Sequence, residues 1–288
     1  MITAELHAHV FMDGIDYKKS VERHKTVVDK EAVKAVFQAY KGLGITCVRE
    51  GGDHYGASLY AKTIAADYGI TYLSPCFALY KEGNYGKVAG LSYADFTEFQ
   101  ERVAKAKELG ADFIKIMVSG ILDFDKFGVV SETDYTTEYI TELVHIAHEE
   151  GFAVMAHASG TERVRQAAEA GVDSIEHGYY IDSETMDILK EKNILWVPTA
   201  VTSVNLKGTG RFNEAEVEEI AERHLSAIAE AYEKGVFIGC GSDAGAYAVL
   251  HGKGTVNEYE LLKGIMGDSA DKELAKAEEF VKQKFRKN

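Results

Sequence analysis

The stretch ELGADFIKI at residues 108–116 decides the fold: a charged, helix-like turn stops at Gly110 and runs at once into an apolar strand. The same junction recurs as AEAGVDSIEH at 168–177 and YEKGVFIGC at 232–240. A helix closed by a glycine C-cap and followed directly by a β-branched run is what a repeated βα unit gives. Gly110, Gly151, Gly171 and Gly235 all fall where such caps would sit. Working outward, strand-like runs are expected near 4–10, 45–50, 71–79, 112–119, 152–158, 173–178, 194–200 and 236–243. Helix-period segments separate them at 31–41, 55–68, 93–109, 135–150, 161–170, 183–192 and 213–234, with further helices near 257–266 and 270–286. Eight strands alternating with helices predict a closed (β/α)₈ TIM barrel, one domain over residues 1–288. An open doubly wound sheet is the alternative, but no glycine-rich fingerprint follows the first strand. The least regular stretches, 80–92, 120–132 and 201–212, each follow a strand and so belong to the barrel's C-terminal face.

The bulk properties agree. The 288 residues are near the ~250 typical of one such barrel. Hydrophobic residues make up 46% and charged ones 27%, enough apolar matter for a large core. A formal net charge of −14 argues against nucleic-acid and anionic-membrane partners, which would be repelled. Cys47, Cys76 and Cys240 lie in apolar runs without disulfide-framework spacing, as buried thiols in a reducing compartment would. With no signal-like opening and no apolar run near ~20 residues, the expected location is cytoplasmic.

Several polar residues close candidate strands. His7 and His9 are two apart on the first, so both project to one side. His157 ends FAVMAHA, His177 ends SIEH and Asp243 ends the last strand in GCGSDAG. Each alone reads equally well as a strand-end polar residue bonded to a loop. As a set they share the C-terminal end of a barrel, where active sites form. Lys115 adds the strongest sign, because it interrupts DFIKIMVS, a run otherwise apolar on both faces. Either it snorkels to the rim, or it is carboxylated to an anion that offers one oxygen to each of two metals. Four neutral imidazoles with oxygen donors suit zinc, although ligand type also admits manganese, iron, cobalt or nickel. Alternation on the strand 173–178 aims Glu176 at the helical layer and leaves it without a role.

At these residues the chain resembles the amidohydrolase superfamily, and within it the prolidase-like dipeptidases and imidazolonepropionase-like proteins. The resemblance rests on LHAH (6–9), GITCVREGG (44–52), GADFIKIMVSG (110–120), VMAHASG (154–160), AGVDSIEHG (170–178), VPTAVT (197–202) and GSDAG (241–245), in register from residue 4 to about 266. It implies that His7 and His9 bind a more buried divalent ion with Asp243, that His157 and His177 bind a more exposed one, and that carboxylated Lys115 bridges them. It further implies that a bridging hydroxide attacks a carbonyl while Asp243 moves the proton. The expected reaction is hydrolysis of a C–N bond in a small molecule: a dipeptide, an N-acyl amino acid or a cyclic amide. Arg49, His54, Tyr80, Lys81, Tyr85 and His251 are the substrate-binding candidates. Two features depart from the family. Relatives flank the barrel with a small β-sandwich, whereas here Met1 directly precedes the first strand and the tail is helical, so self-association as a homo-oligomer is expected. Relatives also carry a histidine in a loop after the third strand, where this chain has KEGNYGK with Tyr85. The alternatives are a lactonase or phosphotriesterase on the same metals, a mononuclear deaminase, and a catalytically dead ligand-binding barrel. The deaminase reading lacks a suitably placed glutamate, the first acid after His157 being Glu162, and intact ligand positions oppose the dead barrel.

Overall fold

A computed structural model describes residues 2–131 and 133–287. The two chain termini of the expected domain and the last residue of the 120–132 stretch lie outside them. The strands are β1 (Ala4–Ala8), β2 (Cys47–Glu50), β3 (Thr71–Leu73), β4 (Ala78–Lys81), β5 (Gly90–Tyr93), β6 (Ile114–Met117), β7 (Val154–Ala158), β8 (Ser174–His177) and β9 (Leu195–Val197). All pairings between them are parallel. One sheet runs β1-β2-β3 and the other β5-β4-β6-β7-β8-β9.

Two seams close these sheets into a (β/α)₈ barrel. Residues 236–244 form the first. Trp196 N–H donates to Phe237 O (2.8 Å) on one side, while Leu6 N–H donates to Cys240 O (3.0 Å) and His9 N–H to Ala244 O (2.8 Å) on the other. The second lies where β3 and β4 meet. The run 71–79 was expected as one strand, but it breaks over 74–77, where Cys76 adopts a left-handed φ of 67°. Its first part pairs with β2 and its second with β6, so the kink passes the ladder from one neighbour to the other. β5 is a second correction: it adds to the outside of β4 within a stretch expected to be irregular.

The helices are α1 (Tyr17–His24), α2 (Lys30–Gly42), α3 (Ala57–Ile64), α4 (Phe96–Glu108), α5 (Thr137–Glu149), α6 (Thr161–Ala170), α7 (Ser183–Glu191), α8 (Val201–Val204), α9 (Glu214–Lys234), α10 (Lys253–Met266) and α11 (Ala270–Lys284). Side chains of Asp29, Asp95, Thr136, Asp182 and Asn213 accept first-turn N–H bonds, satisfying groups a helix start leaves open. The four cap glycines have φ of 77° to 82°, the left-handed conformation that only glycine takes without strain. α1 and α8 fall outside the expected helices.

Ile114, Ile116, Val154, Ala156, Ile175 and Trp196 face the helical layer in the main core. Phe113, Met155, Leu195 and Val197 fill the barrel with Val281 and Phe285 from the C-terminal helix end. α11 therefore closes the floor. Lys284 ties it to Asp173 at 2.9 Å, and Thr3 bonds Glu278 at 2.6 Å. No helix among the described residues is long and apolar enough to cross a membrane.

Candidate metal centre

At the opposite end four histidines, a lysine and an aspartate come together. The His7 ring lies 5.5 Å from that of His9 and 4.9 Å from that of His177, which is 4.6 Å from His157. Lys115 Nζ stands 3.3 Å from His7 Nε2 and 3.4 Å from His9 Nε2. Asp243 Oδ1 is 3.6 Å from both nitrogens. Donors held about 2.1 Å from a tetrahedral ion stand roughly 3.4 Å apart, so this spacing fits one cation among His7, His9 and Asp243. The ligating atoms of these three lie within 4.8 Å of one another.

The backbone aims these groups. His177, Thr199 and Asp243 have φ of 68°, 50° and 58° at the ends of their strand segments. Such conformations cost about 1–3 kcal/mol each and persist where the surroundings impose them. The one at His177 corrects the expectation for Glu176. Ser174 and Glu176 follow strict alternation into the barrel; His177 breaks it and still reaches the site. Glu176 thus faces the metal centre rather than the helices, its Oε2 2.7 Å from His7 Nδ1.

Each histidine but one has a nitrogen tied down by a neighbour. Glu176 holds His7 Nδ1, Gly120 O lies 3.1 Å from His157 Nε2, and Thr199 Oγ1 lies 2.8 Å from His177 Nδ1. The opposite nitrogen of each is left as a lone-pair donor, the arrangement by which outer hydrogen bonds orient metal-binding imidazoles. His9 has the Gly52 backbone beside it, but among the described residues its Nδ1 makes no hydrogen bond of good geometry. Burial pushes His7, His9 and His177 well below the usual imidazole range and His157 down to about 4, so all four stay neutral near pH 7. Burial lowers Lys115 against the pull of Asp243 and Glu176, and raises Asp243 to about 7 against Lys115. Neutral imidazoles around a carboxylate and a lysine of weakened basicity suit a divalent cation.

The substrate-binding candidates divide. The Tyr85 ring lies 5.5 Å from that of His157, at the centre. His54 is exposed and tilted against Tyr55 at 4.1 Å. Tyr80 is half-buried, packed on Gly86. Three of them have their polar groups engaged by other residues of the chain. Arg49 is fully buried and donates to Leu6 O, Ser174 Oγ and Glu176 Oε1, so it faces the floor of the centre. His251 spends both nitrogens on Tyr40 and Met12 O. Lys81 pairs with Asp134 at 2.5 Å and lies over the Tyr139 ring of α5, drawn outward by that carboxylate.

Glu176, Thr199 and Gly51 were missed as site residues. A Cβ on Gly51 would overlap His9 Cε1 and lie 2.6 Å from Lys115 Nζ, so only glycine leaves room there. The glycine pair in REGG was the available signal.

The sequence pattern described as "Amidohydrolase family" matches residues 4–280. The ochratoxinase of Aspergillus niger is 31% identical over 198 residues, 65% of this chain and 38% of that protein. By sequence, this chain therefore matches well under half the length of that curated relative. Its crystal structure aligns with a TM-score of 0.74 at 21% identity, covering 94% of this chain and 68% of that one. A Xaa-Pro dipeptidase with methionine bound in its active site gives a TM-score of 0.73 at 22% identity, over 94% and 72% of the two chains.

Proposed function

The chain belongs to the amidohydrolase family, whose members generally use divalent metal, and on that premise we propose that it hydrolyses a C–N amide bond in a small molecule. The substrate class is a dipeptide, an N-acyl amino acid or a cyclic amide. His7, His9 and Asp243 would hold one divalent ion, His157 and His177 a second, and Lys115 as its carbamate would bridge them. Zinc fits this donor set. The observation that carries the reading is Lys115 Nζ, 1% exposed, at 3.3 and 3.4 Å from two imidazole nitrogens, with Asp243 3.6 Å from both. Likeness to proteins named ochratoxinase and Xaa-Pro dipeptidase supports an amide as the bond cleaved.

When bound, the ions would supply Lewis acidity, acidifying water and polarising a carbonyl. The Asp243 carboxylate would take the proton of the attacking water and return it to the leaving amine, work that needs a carboxylate held close to both. Tyr85, beside His157, would contact the substrate. Single-domain organisation and self-association belong to this proposal, and sedimentation at micromolar concentration tests the latter.

The decisive experiment is metal analysis combined with a panel of dipeptides, N-acyl amino acids, lactones and phosphotriesters. Two equivalents per chain and amide turnover are expected, with a mass increase on Lys115 corresponding to one CO₂. One equivalent with deamination, or ester turnover without amide turnover, would replace the reading. A protein that takes up no metal would end it.

A further inference from the structure

His7 is held from below by a chain of buried contacts that starts outside the site. Glu176 Oε2 meets His7 Nδ1 at 2.7 Å, and its Oε1 accepts from Arg49 Nη2 at 2.7 Å and from Ser174 Oγ at 2.6 Å. Arg49 also donates through Nη1 to Ser174 Oγ (2.8 Å) and through Nε to Leu6 O (2.7 Å), the carbonyl just before His7. Its guanidinium lies 4.6 Å from the centroid of the Phe285 ring. Arg49, Glu176, His7 and Phe285 are each 0% exposed. Phe285 is fixed in turn by the edge of Phe113 at 5.5 Å, at the end of α11.

A buried guanidinium is stable only when its fork is matched and its face covered. Here the fork is matched by Glu176, Ser174 and Leu6, and the face by one aromatic ring, whose negative face attracts the cation. The ion pair is wholly buried beneath His7. Its geometric effect is on His7: Arg49 fixes the carboxylate that orients the imidazole and also the backbone that carries it.

We propose that Glu176 and Arg49 are positioning residues for His7, and that Phe285 on the C-terminal helix end sets their geometry from the barrel floor, so that the floor controls affinity at the deeper metal position. The inference rests on the metal-binding reading above. It predicts that a change in the floor is read at the mouth, two side chains away.

The test uses the full chain with three variants: Glu176→Gln, which keeps the shape and removes the charge; Phe285→Leu, which keeps apolar volume and removes the ring face; and Val281→Ala, which loosens the same floor cluster without removing that ring. Zinc affinity is read by competition with a chromophoric chelator, and the cobalt-loaded protein by its visible spectrum. The His7 tautomer is read in metal-free protein by long-range nitrogen–proton NMR. Loss of an outer-sphere partner costs about 10–100-fold in affinity, the loss expected for Glu176→Gln. Phe285→Leu should lose about 3–10-fold with an altered cobalt spectrum, a milder version of that effect. Val281→Ala should lower the melting temperature while leaving affinity and spectrum as in the wild type. In wild-type protein His7 should carry its proton on Nδ1; in Glu176→Gln both tautomers should appear. Equal affinity losses in Phe285→Leu and Val281→Ala would overturn the proposal, as would an unchanged tautomer and affinity in Glu176→Gln. If Glu176→Gln does not fold, the two floor variants decide. A wild-type protein that binds no metal would fail the metal reading instead, and the tautomer would still judge whether Glu176 orients His7.

Discussion

The two halves of the centre are held by different chemistry. On the His7 side the support is ionic and wholly buried: Glu176 and Arg49 share a 2.7 Å contact at 0% exposure, and Glu5 clips β1 to residue 242 through Ser242 N–H at 2.8 Å. On the His157 and His177 side it is neutral: a carbonyl at Gly120 and a hydroxyl at Thr199, with Pro198 O held by His224 Nε2 at 2.9 Å. A carboxylate partner makes an imidazole a stronger donor than a carbonyl or hydroxyl does. On the two-metal proposal above, this difference would make the deep position the tighter of the two.

Lys115 stands between the halves, so its loss should erase the distinction. In Lys115→Ala both positions should empty and turnover should fall by about a thousandfold or more, the equivalent of the several kcal/mol such ions supply. The fold should survive, because the change removes a buried amine among polar groups and no apolar core contact, and a short carboxylic acid should restore part of the activity. Full metal content and activity in this variant would make Lys115 a bystander. Gly51→Ala separates the halves. The added methyl would press on His9 and Lys115 and on no group of the outer pair among its nearest neighbours, at an overpacking cost of about 1–3 kcal/mol. Metal titration should then show the deep position weakened first; uniform weakening of both would mean the halves are not independent.

Legibility in the sequence followed the same divide. The eight barrel segments and the glycine caps could be read because each is a local pattern, and the left-handed φ of Gly110, Gly151, Gly171 and Gly235 is the local event their residue type announces. The six converging residues could be read because strand ends share one barrel face. Partnerships could not. Arg49 and Glu176 are 127 residues apart, and His251 and Tyr40 are 211 apart, so nothing near Arg49 or His251 showed that their donors were already taken. Glu176 was misdirected because alternation assumes extended backbone, and His177 at φ 68° is not extended. α1 escaped because YKKSVERH is short and polar and lacks an apolar stripe; its N-cap Asp16 was the only start signal.

Acid should attack the outer half through its neutral support. Burial holds His224 down to about 4, against 6.5 when free. Between these values the unfolded chain binds the extra proton and the folded one does not, so stability is complete above pH 6.5 and is lost as pH falls toward 4. At pH 5 this amounts to about 2 kcal/mol for the one residue. Urea unfolding of metal-free His224→Phe should therefore lose about 2 kcal/mol less than wild type between pH 7 and pH 5. Identical losses would show that His224 is not the acid-sensitive support.

The smallest expected effect is also the cleanest probe of the outer half. Thr199→Val replaces the hydroxyl 2.8 Å from His177 Nδ1 by a methyl of nearly the same volume. The φ of 50° at this residue already strains a β-branched side chain, and valine shares that branching, so backbone cost is closely matched between the two. What changes is the hydrogen bond. Without it the His177 ring has no partner to fix its tautomer, and the nitrogen facing the cluster carries a lone pair for only part of the time. Removing such a partner costs about tenfold in affinity at the low end of what outer-sphere changes cost, near 1.4 kcal/mol. The loss should fall on the second equivalent bound, leaving the first, at His7 and His9, within a factor of about two. Titration with resolved steps reads this directly. A Thr199→Val protein whose first equivalent weakens as much as its second would show that the two halves respond as one unit, and the contrast between an ionic and a neutral support would lose its meaning.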